Sequence, residues 1–473
     1  MTSTPVQALK APPDVGTRAL LRLAGPILVA QLAVMGLAVI DTMMAGRLSA
    51  SDLAAVAVGS SVYASVYIAF IGIVQALTPI AGHHYGAGRF HEIGADLVQA
   101  LWLSAALAAI GFVLLAWHDA WLAMIDAPPD VARIASTYLY AIAFGLPASL
   151  GTRAFVALNS AVSRPHVTMA IQLIALVAKI PLNLLFMYGA GPIPALGGAG
   201  CGVATATLAY LTFALCAAVW RCDPAFARYR GRISPRLNLS RQRELLKLGL
   251  PIGGSLLIEV TSFTFISIFL VRLGAQTLAG HQIVANLVSV LFMLPLALGV
   301  AAGVLVAQSL GAEAPDAARR AALRGFRAAA LGAACCIVVV WGLRREIIGA
   351  YTSDPNVEAI ALHLVTLICI FHGFDAFQGV AGFLLRGYKV ATAPMLIHGV
   401  SLWGIGLGGG YVLAFVHPFG WNADGAFSFW LAAVVGLALT ATGLTWLTLQ
   451  IANEHVREAA QRQKKGPVET GPS

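Results

Sequence analysis

Charged side chains are scarce in this chain. Asp, Glu, Lys and Arg make up 11% of its 473 residues, against about 25% in an ordinary soluble domain. That deficit excludes a soluble globular protein of this length. Cysteine is sparse as well. None of the six cysteines has the paired spacing of a zinc site or a disulfide framework. The common catalytic signatures are missing too: there is no HExxH, GxSxG, phosphate-binding GxxxxGK or paired CxxC. These absences argue against an ATP-driven pump, a serine hydrolase and a zinc enzyme. A nucleophile–base pair for an intramembrane enzyme cannot be assembled either. The expectation is a protein that is not an enzyme and needs no cofactor.

Apolar sequence is what the chain has in abundance. It is 59% hydrophobic, with a mean hydropathy of +0.80. Twelve apolar runs, each of about 20 residues or more, are long enough to cross a ~30 Å hydrocarbon layer. They lie near 20–46, 53–80, 95–117, 131–157, 165–189, 195–220, 247–272, 278–308, 321–343, 357–385, 392–416 and 426–450. The 48 glycines and 22 prolines are compatible with this, because both residues are frequent in membrane helices. The expected fold is therefore an all-α integral membrane protein with twelve transmembrane helices. The first run is too long for a signal-peptide core, and residues 1–16 before it are expected to be mobile.

The net charge of +9 does not point to nucleic acid. Basic residues crowd the segments that share one side, such as Arg221 to Lys247, Arg319 to Arg327, and Arg457 to Lys465. The opposite side keeps only a few, including Arg47, Arg272 and Arg344. That asymmetry is the positive-inside signal. It places both termini in the cytoplasm, in a multi-pass protein of the inner (plasma) membrane.

The chain also repeats. At an offset of 225 residues, Leu23 meets Leu248, Pro26 meets Pro251, Arg47 meets Arg272, and Gly86-Ala87 meets Gly311-Ala312. The offset later drifts to about 229, where Pro165 meets Pro394. Six helices per copy is an even number, so the two bundles share one orientation, related by a pseudo-two-fold axis along the membrane normal. The expected organisation is an N-lobe over 17–220, a basic cytoplasmic linker over 221–246, a C-lobe over 247–450 and a polar tail over 451–473. Parallel repeats of this kind suit a transporter whose lobes rock about a site between or within them. A two-lobe monomer suffices.

Three acids interrupt the apolar runs: Asp41, Glu259 and Asp375. Carboxylates at bilayer depth are unfavourable by several kcal/mol and usually mark an ion or proton path. Glu259 shares a helical face with Ser255 and Ser262, and Asp375 shares one with His372 and Gln378. Glu259 lies eleven residues from Leu248, and Asp375 lies eleven from Arg386 at the end of its own helix. At 1.5 Å per residue both sit about 16 Å deep. Two close carboxylates at one depth hold a cation or share protons. Gln282, Asn286 and Ser289 form a third stripe. Asp41 lies nearer the far surface, either as a functional acid or as a helix-end residue paired with Arg47. Lys179 is the unusual intramembrane base. It either pairs with Asp41, the only intramembrane carboxylate expected in its half, or snorkels to the surface.

These residues stand in a recognisable series: IDTMMAGRLS (40–49), GAGR (86–89), KIPLNLLFMYG (179–189), LGGAGCGVATA (196–206), GLPIGGSLLIEVTSF (249–263), AGHQIVANLVSVLFMLPLALG (279–299) and FDAFQGVAGFLLRGYK (374–389). With these stretches the chain resembles the multidrug and toxic compound extrusion (MATE) family, in its NorM type, over roughly residues 18–450. The resemblance implies export of organic, mostly cationic amphipathic compounds in exchange for Na⁺ or H⁺. It implies a C-lobe cation site at Glu259 and Asp375, an N-lobe site at Asp41, Asn183 and Thr205, and a role for Gln282. Lys179 departs from the asparagine found there in many relatives, which puts an Asp41-based proton mechanism in doubt. The alternative is a flippase for a lipid-linked precursor, which would need a strongly basic central cavity.

Overall fold

The computed structural model describes residues 13–124, 128–231, 234–420 and 425–464. Most of the N-terminal segment expected to be mobile (1–12) and the end of the polar tail (465–473) lie outside these residues. Twelve helices are long and apolar enough to cross a membrane: α1 (Thr17–Leu48), α2 (Ala50–Gly86), α3 (Phe90–Ala116), α4 (Pro129–Ala161), α5 (Pro165–Tyr188), α6 (Gly198–Cys222), α7 (Leu239–Val271), α8 (Ala275–Gly311), α9 (Pro315–Gly342), α10 (Pro355–Gly387), α11 (Thr392–Val416) and α12 (Gly425–Lys464). They coincide with the twelve apolar runs. Among the described residues no strand forms beyond one isolated bridge between Ala190 and Ile193.

Local chemistry sets the helix ends. The Ser49 hydroxyl accepts from the Asp52 N–H to start α2. The Asn238 side chain accepts from the N–H groups of Ser240 and Arg241 to start α7. Both are N-caps that satisfy amides with no partner inside the helix. As a result α7 begins at Leu239, inside the stretch 221–246, and α12 runs through Ile451 to Lys464. In the described part of that stretch, Asp223 pairs with Arg164 at 2.7 Å. Its carboxyl is held below the usual range by the Ala225 amide first and by Arg164 as well.

The helices form two lobes, α1–α6 and α7–α12, which meet at the end carrying the basic residues. Among the described residues, every side-chain hydrogen bond between the lobes lies there. The junction has the two-fold relation that the repeat implies. Leu20 and Leu23 at the foot of α1 belong to the C-lobe core that contains Leu298 and Leu305. Their counterparts 225 residues on, Leu245 and Leu248 at the foot of α7, belong to the N-lobe core that contains Ile73 and Leu77. Each lobe thus packs the foot of the other's first helix. Pro26 and Pro251 lie inside these helices at matching positions. A proline there removes an intrahelical hydrogen bond and permits a bend.

Glycine closes the seam. A Cβ on Gly86 would fall 1.9 Å from the Gln308 carbonyl oxygen, and one on Gly311 would fall 2.1 Å from that of His83. Small residues allow such backbone approach between membrane helices. The polar contacts are reciprocal too. His83 Nε2 donates to the Gly387 carbonyl at 2.9 Å, and Gln308 Nε2 donates to the Ala161 carbonyl at 2.8 Å. Each side chain caps the last carbonyl of the fourth helix in the opposite lobe, where helices leave carbonyls unpaired. On one flank Arg241 of α7 grips Glu92 and Asp96 of α3.

This seam makes a testable demand. Gly86→Val or Gly311→Val should force the lobes apart at the basic end by at least about 1 Å, because close-packed atoms cannot interpenetrate. Hydrogen exchange over residues 303–311 should then accelerate by about tenfold or more, the size of one lost helix-cap contact. Unchanged protection in both variants would show that the seam is not closed this way.

Candidate functional site

The C-lobe acids come together through one amide. Gln378, one helical turn beyond Asp375 on α10, donates from Nε2 to Asp375 Oδ1 at 3.1 Å and to Glu259 Oε1 of α7 at 3.3 Å. Its own carbonyl oxygen accepts from His398 Nε2 of α11 at 3.0 Å. Three helices therefore meet in the chain His398–Gln378–(Glu259, Asp375). The histidine fixes the orientation of the amide, because only the NH₂ end can donate to both acids. Asp375, Gln378 and His398 are all buried. A cavity of about 20 Å³ adjoins them, lined by Glu259, Ser262 and Asp375 among apolar side chains. That is room for one water or one small cation. Two carboxylates bridged this closely repel one another when both are ionised, so a proton or a cation stabilises the pair.

The backbone near this cluster is irregular. Directly after His398, α11 widens into π-helix over Gly399–Gly408 and again over Val412–Val416. In the N-lobe, α5 widens over Leu184–Tyr188, directly after Asn183. The stretches at 184–188 and 412–416 correspond at the later repeat offset. π-turns recur at functional sites because they displace side chains from the regular helical register.

The N-lobe cluster is an ion pair. Asp41 Oδ1 accepts from Lys179 Nζ at 2.9 Å and from Asn183 Nδ2 at 2.8 Å. Lys179 Nζ also donates to Thr205 Oγ1 at 2.6 Å, and Thr205 donates onward to the Cys201 carbonyl at 2.8 Å. Lys179 and Asn183 are four residues apart on α5, so both face α1. The Lys179 side chain has no exposed surface. It does not snorkel, and the partner of Asp41 is Lys179 rather than Arg47.

Some of the other sequence candidates stand apart. Gln282 is exposed on α8 and, among the described residues, bonds to neither cluster. Its neighbour His281 is buried against Ser267. Asn286 pairs with Tyr351 at 2.8 Å. His372 is buried and neither ring nitrogen has a hydrogen-bond partner among the described residues. His398 was not singled out by spacing, since it lies on another helix from Gln378. The surroundings of Arg386 are the main addition. Read from sequence as a helix-end residue, it does lie in the last turn of α10, and there it faces a cavity between the lobes, together with Arg153.

The N-lobe pair gives a direct test. Lys179→Met leaves the partly buried Asp41 carboxylate without its counter-charge and should destabilise the protein by about 2–3 kcal/mol, less than breaking a fully buried pair. Lys179→Met with Asp41→Asn should recover most of that loss. Denaturant unfolding in detergent checks it; a single variant as stable as the parent would sink the assignment.

Comparison with known proteins agrees with this arrangement. The MatE family model matches residues 26–185 and again 251–412, one copy per lobe, starting 225 residues apart. The chain is 43% identical over 428 residues to a probable multidrug resistance protein NorM of Aromatoleum aromaticum, covering 90% of this chain and 92% of that one. It is 33% identical over 450 residues to the multidrug resistance protein MdtK of Edwardsiella ictaluri, covering 94% and 98%. Among solved structures, the eukaryotic MATE transporter AtDTX14 superposes with a TM-score of 0.84 at 19% identity, over 94% of this chain and 98% of that one. A MATE transporter described in its outward-facing conformation gives 0.83 at 16% identity, over 97% and 100%. This multi-pass membrane protein is a transporter and not an enzyme, and it belongs to the MATE family, in its NorM type.

Proposed function

We propose that the protein is a secondary antiporter that exports organic cationic, amphipathic drugs and toxic compounds in exchange for Na⁺ or H⁺. The observation that carries this reading is the pair Glu259 and Asp375, bridged by Gln378 beside a cavity of one-ion size. The names of the NorM and MdtK relatives support the drug class. A cationic drug and a coupling ion both favour the same negative pocket, so binding of one weakens the other. In the outward-open state the ion neutralises Glu259 and Asp375 and the drug leaves. The neutral site then tolerates closure, and the lobes rock. With the basic end in the cytoplasm of a plasma-membrane protein, the glycine seam seals the inner side, which is the arrangement of an outward-open state. The monomer carries all of these parts.

The Lys179–Asp41 pair supports coupling through the C-lobe alone, since its ammonium already occupies the place a transported cation would take. The flippase alternative requires a cavity dominated by basic groups. Arg153 and Arg386 do face a cavity between the lobes with no acid in its lining, but Lys179 is tied to Asp41, and the paired acids of the C-lobe favour cations, so the antiporter reading is preferred.

Efflux of a fluorescent cation from vesicles, with Na⁺ and pH gradients imposed separately, tests the reading. Transport should follow one of the two gradients. Glu259→Gln and Asp375→Asn should each reduce it by about a hundredfold or more, the scale expected for losing a charge-assisted contact in a dry site, with expression intact. Retained efflux in both variants would refute the coupling site. A second run with Lys179→Met and Asp41→Asn combined should leave the choice of gradient unchanged; a switch of coupling ion would return the N-lobe to the mechanism.

A further inference from the structure

The order of atoms around the C-lobe acids bears on which ion they take. The amide of Gln378 donates from Nε2 to Asp375 Oδ1 at 3.1 Å and to Glu259 Oε1 at 3.3 Å. An ionised carboxylate only accepts, so the NH₂ end faces the acids. The carbonyl end is then left to His398, whose Nε2 lies 3.0 Å from Gln378 Oε1. An amide oxygen also accepts, so Nε2 carries the histidine proton. Turning the amide over would set its NH₂ against that N–H, donor against donor, and His398 would have to move its proton to Nδ1 as well. His398, Gln378 and Asp375 are all buried, where an unmade hydrogen bond is felt in full. The histidine stands behind the amide as a stop.

Na⁺ and H⁺ make different demands on such a site. A hard cation needs a shell of oxygens and gains nothing from an N–H. The cavity of about 20 Å³ offers it Glu259, Asp375 and the Ser262 hydroxyl, and every other side chain lining it is apolar. The amide oxygen that would be the next ligand is turned away, and the NH₂ lies between the acids in its place. A proton needs no shell. It rests on one carboxyl oxygen and removes the repulsion within the pair, while the amide keeps its bond to the other acid. Of the helices around the cavity, α7 brings Glu259, α10 brings Asp375 with His372 one turn before it, α11 brings His398, and α12 brings only Ala433 and Leu437. Arg386, in the last turn of α10, faces the inter-lobe cavity instead. We propose that His398 selects the coupling ion: by holding the Gln378 carbonyl it keeps donors rather than oxygens on the acid pair, and the site takes H⁺ in preference to Na⁺. Among the described residues His398 bonds to neither acid, so it is a positioning residue that acts through Gln378. This rests on the reading of Glu259 and Asp375 as the coupling site.

Two measurements on the full-length protein test it: binding of radiolabelled Na⁺ at fixed pH, and efflux of a fluorescent cation from vesicles under separate Na⁺ and pH gradients. Parent efflux should follow the pH gradient. His398→Leu frees the amide to turn, so Na⁺ binding should tighten by about tenfold or more, the scale of a charge-assisted contact, and a Na⁺ gradient should begin to drive efflux. His398→Asn should do the same, because its amide is too short to reach Gln378, and it keeps a polar group in the pocket if the Leu variant fails to fold. His398→Gln, which places an N–H near the position of Nε2, should return both readouts toward the parent. Combining His398→Leu with Gln378→Leu should abolish the gain in Na⁺ binding, since no carbonyl is left to release. A gain that persists without Gln378 overturns the proposal. So does unchanged Na⁺ binding in both the Leu and Asn variants, or a parent driven by the Na⁺ gradient at clamped pH; each of these leaves the antiporter reading standing. If parent efflux follows neither gradient, the antiporter reading itself falls and takes the proposal with it.

Discussion

Charge inside a hydrocarbon layer must be answered, and this structure is organised around its answers. Hydration of an ion is lost there, and only a counter-charge, a directed hydrogen bond or a wet cavity replaces it. The chain uses all three. Lys179 and Asp41 cancel each other directly. Glu259 and Asp375 share the amide of Gln378, which His398 holds in turn. Arg153 and Arg386 turn toward a cavity. Nearer the basic surface, Arg241 meets two carboxylates one turn apart on α3. The positions of these groups dictate where the helices can sit, because moving one helix strands the charge on another.

The same constraint explains what was legible in the sequence. Twelve spans could be counted because the hydrocarbon layer demands long apolar runs. The lobes could be paired because a helix repeat without gaps keeps Leu23 and Leu248, or Gly86 and Gly311, in register. The Lys179–Asp41 pair was one of two open readings, and it needed no geometry to suggest it, since one lobe offered the lysine a single carboxylate deep in an apolar run. Matching depth brought Glu259 and Asp375 together as candidates. Other features had no local signature. An arginine near a helix end has two destinations, the surface or a cleft, and composition does not distinguish them, so the cavity that Arg386 faces was not legible. His398 reaches Gln378 only because α11 packs beside α10, and no spacing within one helix encodes that. The π-helical stretches after Asn183 and His398 are backbone departures that hydrophobic periodicity averages away.

The two lobes also separate scaffold from chemistry. The seam is close to symmetric: the feet of α1 and α7 are exchanged, His83 and Gln308 cap opposite helices, and Gly86 and Gly311 each meet the other lobe's backbone. The polar clusters are not symmetric. One lobe holds an acid with its own base, and the other holds two acids with a neutral bridge. Duplication accounts for the first, since both halves must close on the same axis. Divergence accounts for the second, since the proposed exchange needs an ion site in one lobe only.

The Lys179–Asp41 pair has a consequence for electrical work. An elementary charge moved across a membrane potential of 100 mV exchanges about 2.3 kcal/mol with the field. Two opposite charges 2.9 Å apart that move as a unit exchange almost none. The pair therefore adds almost no voltage sensitivity to a movement of the N-lobe, unlike Arg153, which has no ion-pair partner among the described residues. In the proposed cycle the electrical signature then falls to Arg153 and to the net charge of what occupies Glu259 and Asp375 on the way out and on the way in.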